Sequence, residues 1–185
     1  MKRVTHYGHL SIKFLDVMFG AIIALGFGQW FSVPEREIIF FIAFVFAHTI
    51  LIDVWINYDP TIRKFPTKNP YFLILDLALI FTMAFLVYYS MFNLQRFLVS
   101  AAVLRTIGIL WSERPLKEYK IRGSDSSYLK YVRKRNFFEA AAFALLAYAY
   151  AAIDPSAATV AMIPVWVIFR LYDSSHIKNI IKSDS

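Results

Sequence analysis

Cysteine is absent from the 185 residues. That removes a disulfide framework, a thiolate metal site and a cysteine nucleophile, and it leaves the redox compartment unreadable. Charge is sparse as well, at 18% of residues, where an average soluble domain carries about 25%. Three catalytic signatures are missing: Gly-x-Ser-x-Gly, a phosphate-cradling glycine loop and a metal-spaced His/Glu set. His6 and His9 have a spacing that could share a metal, but two ligands on a terminal tail do not make a site. The expectation is a protein that is not an enzyme and needs neither metal nor cofactor.

What is present is apolar. Hydrophobic residues make up 58% and aromatic residues 18%, and the mean hydropathy is +0.51. Such a composition predicts an all-α integral membrane protein. A hydrocarbon layer about 30 Å thick needs about 20 apolar residues per helix. Six stretches qualify: 14–33, 37–57, 69–92, 96–112, 137–153 and 157–173. Turn signals at Val33-Pro34, Tyr58-Asp59-Pro60, Asn69-Pro70 and Asp154-Pro155 separate several of them. The first lacks a small-residue cleavage site where one is expected and further spans follow at once, so it reads as a retained helix.

Lys and Arg concentrate on the cytoplasmic side of membrane proteins. With both termini cytoplasmic, every one of the 20 basic residues falls inside except Arg36, Arg96, Arg105 and Arg170. Removing any one span would break this alternation. The net charge of +7 therefore marks a cytoplasmic face with affinity for anionic lipid. It does not point to nucleic acid, because the basic residues are split among separate segments. The largest of these is a basic loop at 113–136, which can hold a short interfacial helix near 127–135 or remain a solvated charge run. No internal repeat or low-complexity linker appears, so residues 1–185 read as a single six-helix domain, placed in the plasma membrane.

Within the spans, Asp16, Asp53, Asp76, Arg105, Glu139, Arg170 and Asp173 all fall in the cytoplasmic half. Charges in hydrocarbon persist by pairing, so Arg105 is expected against Asp76 or Asp16. The layer reads either as a structural network that sets helix register or as the inner vestibule of a cation path. His48, near mid-membrane, can titrate or donate a hydrogen bond to another helix. In the first span, Asp16, Phe19, Gly20, Ile23 and Phe27 share one face, and Val17, Ala21, Ala24, Leu25 and Gly28 the neighbouring one. Gly20, Ala24 and Gly28 form a small-xxx-small series, a close-packing surface in lipid.

The stretch Phe14-Leu15-Asp16-Val17-Met18-Phe19-Gly20-Ala21-Ile22-Ile23 resembles the first-helix signature of the transmembrane protein 175 potassium-channel family, Arg-x-x-x-Phe-Ser-Asp followed by an apolar run. Phe14 and Asp16 match. Leu15 replaces the serine, and Leu10 stands where the arginine should be. Trp55-Ile56-Asn57-Tyr58 is similar to the Trp-x-x-His that closes the family's second helix, with Tyr58 in place of histidine, and Asn69-Pro70 is loosely similar. The resemblance covers the first three spans at most.

It implies a cation channel, with potassium the candidate ion, assembled as a homotetramer around an apolar pore lined by the first helix. Val17, Ala21, Ala24, Leu25 and Gly28 would line that pore. The family's bulky residue five positions after the aspartate is Ala21 here, which moves the expected constriction to Leu25. Phe14 and Asp16 would be tied to polar and aromatic groups of the next two helices, namely His48, Asp53, Trp55 or Asp76. No hydroxyl-rich or carbonyl-rich filter sequence supports a selectivity assignment. The competing expectation is a non-conducting sensor or effector module whose basic loop binds a partner or anionic lipid. A voltage-sensor-like bundle is suggested by Asp53, Asp76, Arg96 and Arg105, but arginines nine apart do not form an every-third series.

Overall fold

A computed structural model describes residues 6–32, 37–66, 68–69, 72–152, 160–161 and 163–171, except the side chains of 6–11. The regular elements among them are helical: α1 (His6–Ser32), α2 (Ile38–Lys64), α3 (Leu73–Phe92), α4 (Leu94–Tyr119) and α5 (Ser124–Ala152). Residues 160–161 and 163–171 are also helical. Hydrocarbon offers no hydrogen-bond partner, so a spanning segment must satisfy its backbone internally, as a helix does. Ile12–Ser32, Ile38–Lys64, Leu73–Phe92 and Leu94–Tyr119 are long and apolar enough to cross a bilayer, as befits a multi-pass membrane protein. α5 is longer than any of them but begins SDSSYLKYVRKRN, and its apolar run starts only at Phe137. The expected last span, 157–173, lies only partly within the described residues, and Asp173 lies outside them.

Two expected breaks are continuous helix. α2 runs through Pro60 to Lys64. A proline removes one backbone donor from the ladder, and here side chains add donors around it: Asn57 Nδ2 donates to the Asp53 carbonyl at 2.6 Å and Thr61 Oγ1 to the Asn57 carbonyl at 2.9 Å. The segment 113–136 is not a loop. α4 passes through Pro115 to Tyr119 and α5 begins at Ser124, so only 120–123 connects them. That connection turns through left-handed backbone at Lys120 (φ 50°) and Gly123 (φ 71°), a conformation glycine adopts at little cost. Conversely, a single residue separates α3 from α4. Asn93 is extended, and its Oδ1 accepts from the Arg96 amide at 2.9 Å, capping α4.

The chain divides into two compact units, Met1–Ser100 and Ala101–Ser185. The division falls inside α4, where no Pro, Gly or polar run marks it. In the first unit α3 packs on both α1 and α2. Its core includes Leu15, Ile22, Ala43, Phe44, Ala47, Ile50, Leu79, Met83 and Leu86. Gly26 sits where the three helices meet: a Cβ there would lie 2.7 Å from Val87 Cγ1 and 3.3 Å from His48 Nε2. In the second unit Leu104, Trp111, Leu129, Val132, Phe143 and Leu146 are buried. α4 and α5 approach at Gly108, where a Cβ would come within 2.6 Å of Asn136 Nδ2.

Candidate functional site

α1 is the least enclosed of the four spans. Its packed seam is Leu15, Ile22 and Gly26, all buried, flanked by Phe19 and Trp30. This seam is rotated from the expected face of Asp16, Gly20 and Phe27. Gly20 is exposed, with nothing within 4 Å of a Cβ built on it. The rotation arises because α1 is apolar on every side, so hydrophobic pattern alone cannot show which side turns inward. Of the expected pore-facing residues, Val17 (70% exposed), Ala24, Leu25 (73%) and Gly28 are open and Ala21 is half-buried. Gly28, like Gly20, has open space around it. The open arc is centred near Val17, Ala24 and Gly28. Leu25 lies at its edge, where with Ile22, Gln29, Phe85 and Tyr88 it also lines a groove of about 360 Å³ between α1 and α3.

The expected polar network exists in pieces, with partners that differ from those anticipated. Asp16 Oδ2 lies 3.3 Å from an Arg63 terminal nitrogen, and Arg63 Nε also contacts Asp59 Oδ1 at 2.6 Å. The partner does come from the second helix, but from its last turn, which continuation past Pro60 brings beside Asp16. One helical turn further along α1, Phe19 stacks on Trp55 with ring centroids 4.6 Å apart. Phe14 is exposed. Asp53 Oδ1 receives Asn57 Nδ2 at 3.2 Å. Tyr58, which stands in place of the motif's histidine, is buried and donates its hydroxyl to Asp76 Oδ1 at 2.5 Å.

His48 was expected to reach another helix by hydrogen bonding. Its Nδ1 instead bonds the Phe44 carbonyl of its own helix at 2.9 Å. A carbonyl only accepts, so Nδ1 carries the proton and Nε2 a lone pair. The ring contacts Phe27 at 4.8 Å and Phe44 at 4.2 Å between centroids, and Nε2 has no hydrogen-bond partner among the described residues.

Arg105 was expected against Asp76 or Asp16, and one ion pair it makes is with Glu139. Its Nε lies 2.5 Å from Oε2, close enough for an ion pair but without hydrogen-bond alignment. Glu139 also faces Arg170 at 3.5 Å and Arg135 at 3.8 Å. Arg105, Arg135 and Glu139 are buried. A further buried guanidinium, Arg114, lies 5.3 Å from the Trp111 ring. Glu139 as a hub was not anticipated, although its signal was in the sequence: an acid opening an apolar run, with Arg135 one turn earlier. Arg63 is not legible as a partner in the sequence because Pro60 reads as the end of the helix. Among the described residues no three His, Asp or Glu side chains gather closely enough to hold a metal.

Comparison with protein-family models, with curated proteins and with solved structures gives no match to this chain.

Proposed function

We propose that the chain is one subunit of a homo-oligomeric cation channel of the plasma membrane, a homotetramer with α1 at its axis. In this reading six spans run between cytoplasmic termini, and Val17, Ala21, Ala24, Leu25 and Gly28 face an apolar path for monovalent cations such as potassium. The observation that supports it is the open small-residue face of α1, opposite the seam that packs on α2 and α3. In lipid, small residues in series let helices approach closely, and closed rotational symmetry is the usual way to share an axis. Leu25 is the bulkiest of the five and would narrow the path, gating by dewetting. The Asp16–Arg63 and Phe19–Trp55 contacts would hold α1 by its other flank. The resemblance of Phe14 to Ile23 to the channel signature adds to this reading.

The decisive experiment is purified protein in a planar bilayer between unequal KCl and NaCl solutions. Current with a reversal potential set by the cation gradient supports the channel. A monomer in both detergent and lipid, with no current, would overturn it. A second reading, a non-conducting module that binds anionic lipid, is favoured by one observation. Lys130, Arg133 and Lys134 stand exposed on the helical first half of α5, so the basic segment presents an ordered face fit for recognition.

A further inference from the structure

We propose that the groove between α1 and α3 holds one acyl chain of a phospholipid whose phosphate rests on Arg96. The inference needs these helices to cross the bilayer, and it is independent of whether the protein conducts. Every residue it uses belongs to the first unit.

The groove has an apolar length and one polar end. It runs along about 10 Å of helix axis, from Ile22 and Ala84 to Gln29 and Met91, and its volume is about 360 Å³. Gly26 draws α1 against Val87, while the exposed Leu25 on one helix and Phe85 on the other form walls. No residue with a full charge lines it. Its polar side chains, Gln29, Tyr88 and Tyr89, come from the closing turns of their helices. One span separates α1 from α3 in the chain, so both cross in the same direction and their ends, Ser32 and Phe92, reach the same membrane surface. Exposed Phe85, Tyr88 and Phe92 set aromatic rings near that surface, where membranes enrich them. The groove therefore starts at the headgroup level and continues into hydrocarbon.

Arg96 supplies the charge. It is exposed in the first turn of α4, and its guanidinium carbon lies 5.6 Å from the centroid of the Tyr89 ring. A cation thus stands beside the polar end of the groove. Among the described residues no carboxylate pairs with it, Glu37 at the start of α2 included. A guanidinium over an aromatic ring keeps its N–H edge for a phosphate, which it binds through two parallel hydrogen bonds. A soluble anion has no use for the apolar length, and a bare hydrocarbon chain has none for Arg96. A phospholipid uses both. The volume lies at the low end for ligand sites, enough for part of one chain with the rest of the lipid in the bilayer. Leu25 borders this groove and the open face of α1, whose centre at Val17, Ala24 and Gly28 the lipid leaves uncovered.

The test is photolabelling of the full chain in dodecyl maltoside with a phosphatidylglycerol that carries a diazirine on its acyl chain, the adducts being mapped by peptide mass spectrometry. We expect adducts concentrated in 22–29 and 84–91, displaced by plain phosphatidylglycerol at about one fifth of the concentration needed with dioleoylglycerol, which lacks the phosphate. Arg96→Gln, at an exposed position, should lower the labelling about fivefold, the effect of one basic residue at an anionic headgroup. Ala84→Leu should lower it by filling the groove. Lys13→Gln, which removes an exposed cation near the other end of α1, should leave it unchanged. Adducts spread evenly over the outward faces of the spans would overturn the site, leaving lipid as solvent. Equal losses for Lys13→Gln and Arg96→Gln would reduce the attraction to a diffuse one and overturn it too. Wild-type labelling in Arg96→Gln, or equal displacement by dioleoylglycerol, would overturn the phosphate contact. Loss of the adducts in millimolar inorganic phosphate would give Arg96 to a soluble anion in place of the lipid. Absence of adducts from both stretches would overturn the lipid, and in a protein that runs as an oligomer it would hand the groove to a second copy.

Discussion

Arg105 and Glu139 meet inside the second unit with Nε 2.5 Å from Oε2, both side chains buried. Glu139 is also approached by Arg135 and Arg170, so the carboxylate is the hub and each arginine a spoke. Removing one member of a buried pair leaves the other charge uncompensated, at a cost of about 3–5 kcal/mol.

Glu139→Gln should therefore lower the thermal midpoint in detergent more than Arg105→Gln or Arg170→Gln, since it removes the charge of a carboxylate that three guanidinium groups approach. The reversal Arg105→Glu with Glu139→Arg should rescue only in part, because the new arginine would face Arg135 and Arg170. Full rescue, or a Glu139→Gln midpoint no lower than that of Arg170→Gln, would dissolve the hub.

Tyr58→Phe removes a buried hydroxyl that donates to Asp76. The expected loss is about 1–3 kcal/mol of stability in the first unit, read as a shift in the unfolding midpoint. Asp76→Asn, which keeps an acceptor oxygen, should cost less. The reverse order would mean that the contact does not hold α2 to α3.

Asp16 and Arg63 are both substantially solvent-accessible in the single chain, and Arg63 has Asp59 as a second partner. Asp16→Ala should therefore shift the melting temperature less than Trp55→Ala, which loses the stack on Phe19. A larger effect of Asp16→Ala would imply that assembly buries this pair.

Gly26 and Gly28 differ by two positions and should behave oppositely. Gly26→Leu drives a side chain into Val87 and His48 and should destabilise the subunit by about 1–3 kcal/mol, as overpacking does. Gly28→Leu meets open space within the chain, so the fold should survive while the mass of the assembly falls in native mass spectrometry. An unchanged mass would move the interface off this face.

Leu25→Asn should raise current at fixed protein amount if the side chain narrows a dewetted path. Phe81→Asn is the appropriate control, being an exposed apolar residue of α3. Equal currents from both variants and wild type would remove Leu25 from the path.

The helical, multi-pass character of the chain was legible in its residues, because apolar run length and the missing hydrogen-bond partners of hydrocarbon permit little else. So was the need of Asp16 for a partner in the second or third helix, since a carboxylate one turn into a span demands one. Which residue that partner is depends on where the second helix ends. Pro60 looked like a stop, yet Asn57 and Thr61 donate to carbonyls around it, and the extra turn delivers Arg63 to Asp16. In the same way, Lys120 and Gly123 confine the expected long loop to four residues, 120–123.

Which charges pair and which side of α1 turns inward were decided only by tertiary structure. Composition and periodicity specify that a charge in hydrocarbon must be matched. The match itself depends on the rotation and depth of each helix, and helices apolar around their whole circumference leave both undetermined. Small residues settle them: Gly26 lets α1 lie against Val87 and His48, and Gly108 lets α4 lie against Asn136. Within the second unit, that close approach of α4 to α5 accompanies the pairing of Arg105 with Glu139, two residues that no sequence spacing connects.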